Sequence, residues 1–170
     1  MGNQYVYSYA TDHNVYAIGP ESTIKKHPAK SKFVDGFENY ASSSILDYLY
    51  TVIKNPRYKH IIYDEFREVY YRFVYVGEEL DTKQVESRTL EEKAKSLSNL
   101  SIIILNKEFK RLGETKLPKD RYNASNYFIA EDGLHLSINN PSNPDMKGRC
   151  PTIWVPGIDG KVILFLTTIS

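Results

Sequence analysis

The chain has 170 residues, a length that predicts one compact domain. Hydrophobic residues make up 41%, charged residues 25% and aromatic residues 13%, which supplies a core and excludes a wholly disordered chain. Twenty-two basic against twenty-one acidic residues leave a net charge of +1 without a basic cluster, which argues against a nucleic-acid-binding protein.

The sequence shows no segment typical of membrane insertion or export. No run approaches the roughly eighteen apolar residues that predict a membrane span. The N-terminus lacks the basic and apolar regions of a signal peptide. Cys150 is the only cysteine, which excludes an internal disulfide and a cysteine-rich zinc site. The four histidines lie far apart, none at the i, i+4 spacing of helix-borne zinc sites, and no Gly-rich phosphate loop is present, so we expect neither a metal nor a cofactor.

The N-terminal segment predicts three short strands. Tyr5, Tyr7 and Tyr9 alternate with smaller residues, which is the period-two pattern of a strand. Residues 15–18 and 23–27 predict the second and third strands, because polar and Gly-Pro turns precede them. Three short strands joined by tight turns predict an antiparallel meander.

A helix and a hairpin follow the meander. Apolar residues from Ile45 to Ile53 recur at three- and four-residue spacing, so we predict a helix over about residues 43–54. The preceding serines offer N-cap oxygens, and Pro56 makes continuation unfavourable. Residues 61–63 and 69–76 then predict a hairpin, whose second strand places alternate residues on opposite faces.

Polar residues separate this hairpin from the next strands. Residues 77–99 are rich in Glu, Lys and Ser and predict a polar loop with one helical turn over about 90–97. The continuous apolar run 102–105 is typical of a strand buried on both faces, and residues 110–117 predict a more polar partner strand.

Two further hairpins complete the pattern. Residues 127–130 and 134–138 flank Asp132-Gly133, a dipeptide typical of hairpin turns. Residues 152–155 and 161–166 bracket a Pro- and Gly-containing turn. Regularly spaced short strands favour a sandwich, barrel or propeller, so the sequence predicts a mainly β fold with one inserted helix.

Several segments carry a family resemblance in a consistent order. They are rich in tyrosine and basic residues or form apolar strands: Tyr7-Ser8-Tyr9 through Tyr16, Ala29-Lys30-Ser31, Asn55-Pro56-Arg57-Tyr58, Tyr63-Asp64-Glu65-Phe66-Arg67, Tyr70-Tyr71-Arg72-Phe73, residues 101–105, residues 113–118 and residues 128–140. Over about residues 5–145 the chain resembles the C-terminal part of uncharacterised six-bladed, TolB-like β-propeller proteins from Bacteroidetes, which are commonly predicted lipoproteins.

The resemblance implies a partial β-propeller of about three blades, because each blade takes roughly 40–50 residues. We expect residues 1–170 to form one such domain of antiparallel meanders, interrupted by the helix and the polar loop. Three blades do not close a ring, and unpaired sheet edges favour self-association. Residues 146–170 depart from the family pattern. The resemblance further implies a location at the periplasmic side of the cell envelope, lipid-anchored in full-length members.

His135-Leu136-Ser137 is the string most similar to a catalytic motif. Phosphoesterases of the two-histidine class use two His-x-Ser/Thr strands, with one histidine as base and the other as acid. The segments after His13, His27 and His60 do not repeat the pattern. We therefore interpret His135 as a strand-borne surface or half-buried histidine.

The remaining candidate site is the hairpin with Tyr63, Asp64, Arg67, Tyr71 and Arg72. Tyrosine and arginine are favoured at binding hot spots, because each joins a large contact area to polar donors. The resemblance implies that this hairpin recurs in the family and faces the propeller channel. The alternative is an internal staple, in which an arginine pairs with a nearby carboxylate and stacks on a tyrosine.

The sequence contains no complete catalytic constellation. This absence, together with what the family resemblance implies, leads us to hypothesise a non-enzymatic β-propeller binding or scaffold module of a bacterial cell-envelope protein. Its ligand would be a protein, a small molecule or a glycan. One alternative is a hydrolase or lyase with its site on the propeller's central face. Another is a truncated product without activity of its own.

Overall fold

The structure, a computed structural model, describes residues 4–38, 42–80, 87–143, 152–155 and 165–166. Within them the chain forms these strands and helices, in order: β1 (Tyr5–Ser8), β2 (Asn14–Ile18), β3 (Ile24–Pro28), α1 (Ile45–Lys54), β4 (Arg57–Asp64), β5 (Val69–Tyr75), α2 (Ser87–Ser96), β6 (Leu100–Leu105), β7 (Arg111–Lys116), β8 (Asn123–Ala130), β9 (Gly133–Ser137), β10 (Thr152–Val155) and β11 (Phe165–Leu166).

The strands pair into three antiparallel sheets that each follow chain order. One sheet has the order β1-β2-β3, the second β4-β5-β6-β7 and the third β8-β9-β10-β11. None of these sheets, over the residues described, closes into a barrel. The mainly β prediction is confirmed, and this succession of meanders is compatible with a partial β-sheet domain.

Two compact units divide the chain. The first comprises Met1–Phe37, Pro56–Val76 and Ser101–Lys116, and the second comprises Glu38–Asn55, Gly77–Leu100 and Leu117–Ser170. The first unit therefore contains the β1–β3 sheet and most of the β4–β7 sheet. The second contains both helices and the β8–β11 sheet. That residues 1–170 form one domain stays a prediction.

The core of the first unit lies on one face of the β1–β3 sheet. Alternation places Val15 and Ala17 of β2 on that face, almost fully buried, and leaves the tyrosines of β1 on the other. The residues clustered with them are apolar or aromatic: Ala29, Val34, Tyr58, Val74, Ile103, Leu105 and Phe109. Burying one large apolar side chain contributes about 1.5–3 kcal/mol, so this cluster contributes substantially to the unit's stability.

Helix α1 of the second unit confirms the predicted helix. Ser44 is its N-cap, and the Ser44 hydroxyl accepts a hydrogen bond from the Asp47 N–H. Asp47 in the first turn and Lys54 in the last turn both complement the helix dipole. Ile53 is buried, and α1 contacts α2 within the same unit.

The structure corrects the prediction of a single helix. Residues 77–99 were predicted as a polar loop with one helical turn over about 90–97, and within them residues 87–96 form the ten-residue helix α2. Leu90 is buried, and Glu91 and Lys95 form an i,i+4 ion pair at 3.9 Å on the exposed side. The mixed charges that indicated a loop therefore lie on the solvated face of a helix, because over residues 90–96 the buried side chain is the apolar Leu90.

Strand limits differ from prediction in two hairpins. Strand β4 begins at Arg57 rather than at residue 61, because a register shift between Tyr58 and Ile61 breaks the period-two pattern. Strand β8 likewise begins at Asn123, again with a register shift. The Asp132-Gly133 turn is confirmed, and Gly133 has a φ of 151° that favours glycine. Cys150 and most of residues 146–170 lie outside the described residues.

Candidate functional site

The Asp64 carboxylate organises the turn between β4 and β5. Its Oδ1 accepts hydrogen bonds from the N–H groups of Phe66 and Arg67 at 3.0 and 3.1 Å. Its Oδ2 accepts from Arg67 Nη1 and from the Tyr71 hydroxyl, each at 3.1 Å. Asp64 is fully buried, and burial together with Asp64 raises the pKa of Tyr71. Asp64, Arg67 and Tyr71 therefore form one hydrogen-bonded cluster around a buried carboxylate.

Arg72 belongs to a different surface of the same hairpin. Pairing of Ile62 with Tyr71 and of Ile61 with Arg72 places Tyr71 and Arg72 on opposite faces of the sheet. Arg72 is fully buried, and its guanidinium donates to one hydroxyl and four main-chain carbonyls of the β1–β3 segment. The acceptors, all at 2.6–3.0 Å, are Ser8 Oγ and the carbonyls of Asp12, His13, Asn14 and Ala29.

Tyr58 lies beneath the Arg72 guanidinium. The guanidinium carbon is 3.4 Å from the ring centre, a cation–π contact inside the core. The Tyr58 hydroxyl accepts a hydrogen bond from the Ser31 N–H at 2.9 Å and lies 2.8 Å from His13 Nδ1. Burial lowers the pKa of Arg72 to about 10, which leaves the guanidinium charged at neutral pH. The arrangement ties β5 to the turns of the β1–β3 sheet.

Glu114 of β7 is a second buried carboxylate of the first unit. Its side chain has no solvent-exposed surface. Oε1 accepts from the Ser31 hydroxyl at 2.5 Å and from the Ser101 hydroxyl at 2.9 Å, and Oε2 accepts from the Lys32 N–H at 2.7 Å. These contacts hold the segment after β3 against β6 and β7.

The five predicted site residues therefore do not form one site. Asp64, Arg67 and Tyr71 cluster on one face of the hairpin, and Arg72 is directed to the other. Tyr63 is 44% exposed and packs on Tyr70 with ring centres 4.9 Å apart. The ion pair between Arg67 and Asp64 and the stacking of Arg72 on Tyr58 are the contacts expected if these arginines stabilise the fold internally. Among the five, Tyr63 is the residue with a largely accessible ring.

A group of tyrosines that the sequence analysis assigned only to strands forms an accessible surface. We call Tyr5, Tyr7, Tyr9 and Tyr16, on the outer side of the β1–β3 sheet, the tyrosine face. Tyr7 and Tyr16 are cross-strand partners with rings stacked at 5.3 Å, and Tyr9 meets both edge-on at 5.4–5.5 Å. Tyr5 and Tyr9 are 70% and 56% exposed. The signal in the sequence was the 5, 7, 9 spacing, which places these rings on one face.

Asp12 supplies a carboxylate at the rim of the tyrosine face. Its Oδ2 accepts a hydrogen bond from the Tyr16 hydroxyl, and its Oδ1 accepts from the Asn14 N–H at 2.8 Å. The Tyr16 hydrogen bond is the largest cause of an Asp12 pKa lowered to about 2, and the same bond raises the Tyr16 pKa to about 12. Asp12 is therefore an anion, and Tyr16 a neutral donor, across the physiological range.

His135 lies in the second unit as a half-buried residue of β9, as interpreted from the sequence. Its Nε2 is 2.7 Å from Asp132 Oδ1, and its ring stacks on Phe128 with centres 4.4 Å apart.

Within the described residues no group of three or more His, Cys, Asp or Glu side chains is placed to hold a metal ion. Of the helices in that part of the chain, none has the length and apolar character to cross a bilayer.

Comparison with known proteins places these features in a family. A family model described as a domain of unknown function (DUF4221) matches residues 1–116. Among solved structures, the chain is similar to a DUF4221 family member from Bacteroides vulgatus ATCC 8482, with 27% sequence identity and a TM-score of 0.69. The alignment covers 84% of this chain and 38% of that chain, so the chain spans well under half of that relative's length. No curated protein matches.

Proposed function

Since the chain belongs to the DUF4221 family, whose function is unknown, we propose from its own geometry that it is a non-enzymatic binding module. The ligand contacts the tyrosine face, and Tyr63 provides a further exposed ring. Asp64, Arg67, Tyr71 and Arg72 hold the scaffold that carries these rings. The single observation behind this proposal is the set of packed, accessible tyrosines on the outer side of the β1–β3 sheet.

The chemistry of the tyrosine face suits a neutral, polyhydroxylated ligand such as a glycan. Each tyrosine offers an apolar ring and a hydroxyl, so the surface can stack on C–H groups and also exchange hydrogen bonds. The rings are already ordered by packing on one another, which lowers the entropy lost on binding. The nearby charges, Asp12 and Lys26, are of opposite sign and favour neither a strongly anionic nor a strongly cationic ligand.

The enclosure of the buried ionisable groups favours a binding function over a hydrolase or lyase activity. Asp64, Arg72 and Glu114 are occupied by hydrogen bonds from or to their own chain. A general acid or base must reach a substrate proton, directly or through one water, and these groups are enclosed. Their positions suit structural roles.

We place the module in a β-propeller of the cell envelope. The support is the succession of antiparallel meanders, the resemblance to TolB-like propellers, and the similarity to a Bacteroides family member whose chain is much longer. In that setting the tyrosine face would act on the periplasmic side of a lipid-anchored protein. This location is part of the proposal.

Affinity electrophoresis through gels that contain single soluble polysaccharides tests the glycan assignment. Retardation of the wild type by at least one polysaccharide is expected, with the Tyr9→Ala variant retarded much less. Leu112→Ala is the matched control, because Leu112 is a similarly exposed apolar residue on β7 of the same unit. Equal retardation of both variants, or no retardation of the wild type in any gel, would overturn the assignment.

The same polysaccharides distinguish the enzymatic alternative. After incubation with the wild-type protein, the release of reducing ends or unsaturated products is measured for each polysaccharide. We expect none. Turnover by the wild type that disappears in His135→Ala would replace the binding proposal with a hydrolase or lyase.

A further inference from the structure

We propose that His13 is a pH-sensitive switch for the segment after β3, residues 29–37. The neutral imidazole accepts a hydrogen bond that holds this segment on the core, and protonation of the imidazole weakens that attachment. All of the residues involved belong to the first unit. The switch is independent of the glycan assignment, because none of the rings of the tyrosine face takes part in it.

The segment after β3 forms neither helix nor strand and is attached to the first unit by side chains of other elements. The Ser31 N–H donates to the Tyr58 hydroxyl at 2.9 Å. The Ser31 hydroxyl and the Lys32 N–H both donate to the Glu114 carboxylate. Val34 is buried and belongs to the core cluster. Opening of this segment therefore uncovers part of the apolar core.

The Tyr58 hydroxyl connects Ser31 to the imidazole of His13. Burial raises the pKa of Tyr58, so the hydroxyl keeps its hydrogen at neutral pH. The Ser31 N–H and the Arg72 guanidinium over the ring are donors, whereas His13 Nδ1, 2.8 Å from the hydroxyl oxygen, can accept. The Tyr58 hydrogen is therefore directed to Nδ1, and the imidazole is neutral with its own hydrogen on Nε2.

Protonation of His13 is incompatible with this arrangement. An imidazolium carries hydrogens on both ring nitrogens, so Nδ1 no longer accepts from the Tyr58 hydroxyl. The hydroxyl must then turn its hydrogen away from Nδ1 inside the core, which disturbs the oxygen that accepts from the Ser31 N–H. Protonation therefore favours the open form of the segment.

On balance, the groups around His13 disfavour the imidazolium. Burial is the largest cause of a lowered His13 pKa, followed by the charges of Lys30 on the segment itself and Arg72 of β5. Asp12 in the preceding turn and a hydrogen bond to the Asp35 main chain oppose the lowering without cancelling it. An open form in which His13 has its ordinary pKa of 6.5 binds a proton more readily, so opening becomes easier as the pH falls below that value.

NMR on the full chain tests the proposal in two steps. Long-range proton–nitrogen spectra at neutral pH should show His13 as the neutral tautomer without a hydrogen on Nδ1. Amide exchange then follows the Ser31 N–H as a protection factor, which corrects for the intrinsic pH dependence of exchange. Between about pH 7.5 and pH 5 we expect this protection factor to fall at least about threefold in the wild type.

Two glutamine variants assign the fall to one histidine. His13→Gln cannot be protonated but keeps an acceptor oxygen, so its Ser31 protection should not fall. His27→Gln is the matched control, because His27 is a half-buried histidine of β3, and it should behave like the wild type.

Lys30→Gln tests the switch with the core side chains unchanged. Loss of this cation should raise the His13 pKa and reduce the fall in Ser31 protection, whereas Lys32→Gln, at a nearby exposed position, should change neither. The proposal is overturned by a hydrogen on Nδ1 at neutral pH, by Ser31 protection that is independent of pH in the wild type, by an equal fall in His13→Gln, or by equal effects of the two lysine variants.

Discussion

Arg72 of β5 lies on the ring of Tyr58 of β4, with the guanidinium carbon 3.4 Å from the ring centre. The same guanidinium donates to the carbonyls that close the turn before β2, including those of Asp12 and Asn14. One side chain therefore connects the two sheets of the first unit. Among its acceptors the Ala29 carbonyl belongs to a buried residue, and a buried acceptor left without a donor costs about 1–3 kcal/mol.

Replacing Arg72 should strongly destabilise the protein. In Arg72→Lys the charge remains, but a lysine has three donors without the planar fork, so several carbonyls lose their partner. We expect the free energy of unfolding to fall by about 3–5 kcal/mol. The measurement is urea unfolding, compared at the transition midpoint with an unchanged slope. Arg111→Lys, a change at a partly exposed arginine, is the control and should lower the stability by less than about 1 kcal/mol.

Removing the Asp64 carboxylate should open the β4–β5 turn. Asp64→Ala removes the oxygen that accepts from the Tyr71 hydroxyl and from Arg67 Nη1, and we expect a loss of about 2–4 kcal/mol in unfolding free energy. Glu65→Ala, at the exposed neighbouring position, should change stability by less than about 0.5 kcal/mol. The measurement is thermal unfolding, in which the melting temperatures of the two variants are compared with that of the wild type. Similar melting temperatures for the two would contradict the role given to Asp64.

The Asp12 pKa should depend on one hydroxyl. Carbon-detected NMR titration of the wild type should place it at about 2, and Tyr16→Phe should move it upward toward the ordinary 3.8, because the Tyr16 hydrogen bond is the largest cause of the shift. Tyr7→Phe removes a hydroxyl from the same ring cluster and should leave the Asp12 pKa unchanged. An unchanged Asp12 pKa in Tyr16→Phe would show that another group stabilises the carboxylate.

The lowered pKa of Asp12 also makes the free energy of unfolding depend on pH. A carboxyl group whose pKa is lowered by folding contributes its full stabilisation above the unfolded value near 3.8 and loses it as the pH falls through about 2. We therefore expect Tyr16→Phe to show a shallower loss of stability than the wild type between about pH 4 and pH 2.

Glu114 should control the local opening of the segment after β3. In Glu114→Gln the side chain keeps its shape but has a single acceptor oxygen, so it cannot serve Ser31, Lys32 and Ser101 in the same way. We expect the Lys32 amide to exchange with solvent at least about tenfold faster, measured by NMR hydrogen exchange. Glu108→Gln, in the exposed β6–β7 turn, is the control. Unchanged Lys32 exchange would mean that other contacts hold this segment.

Local patterns in the sequence were sufficient for most elements of the fold. The alternation in residues 5–9, the helical spacing from Ile45 to Ile53 and the Asp132-Gly133 turn each predicted an element that the structure contains. Where the pattern was interrupted, prediction was poorer. The register shift after Tyr58 broke the alternation over the first half of β4, and the charged residues of α2 outweighed the apolar signal of its buried Leu90.

Alternation also placed Tyr71 and Arg72 on opposite faces of their strand, and the structure confirms it. The sequence could not show which partners those faces meet. Ser8 and Ala29 lie far from Arg72 along the chain, and Ser31 lies far from Glu114; each pair is in contact because two sheets stack. Long-range contacts of this kind depend on which surfaces the folded chain buries together.

The amino-acid sequence by itself determined the strand and helix pattern, because that pattern follows from the period of apolar residues and from turn chemistry over a few neighbouring positions. Only the tertiary structure decided which charged and aromatic side chains are buried and which remain accessible to solvent. Asp64, Arg72 and Glu114 became internal connections because packing enclosed them, where each must be hydrogen-bonded. The tyrosines of β1 stayed accessible because the opposite face of their sheet, with Val15 and Ala17, covers the core.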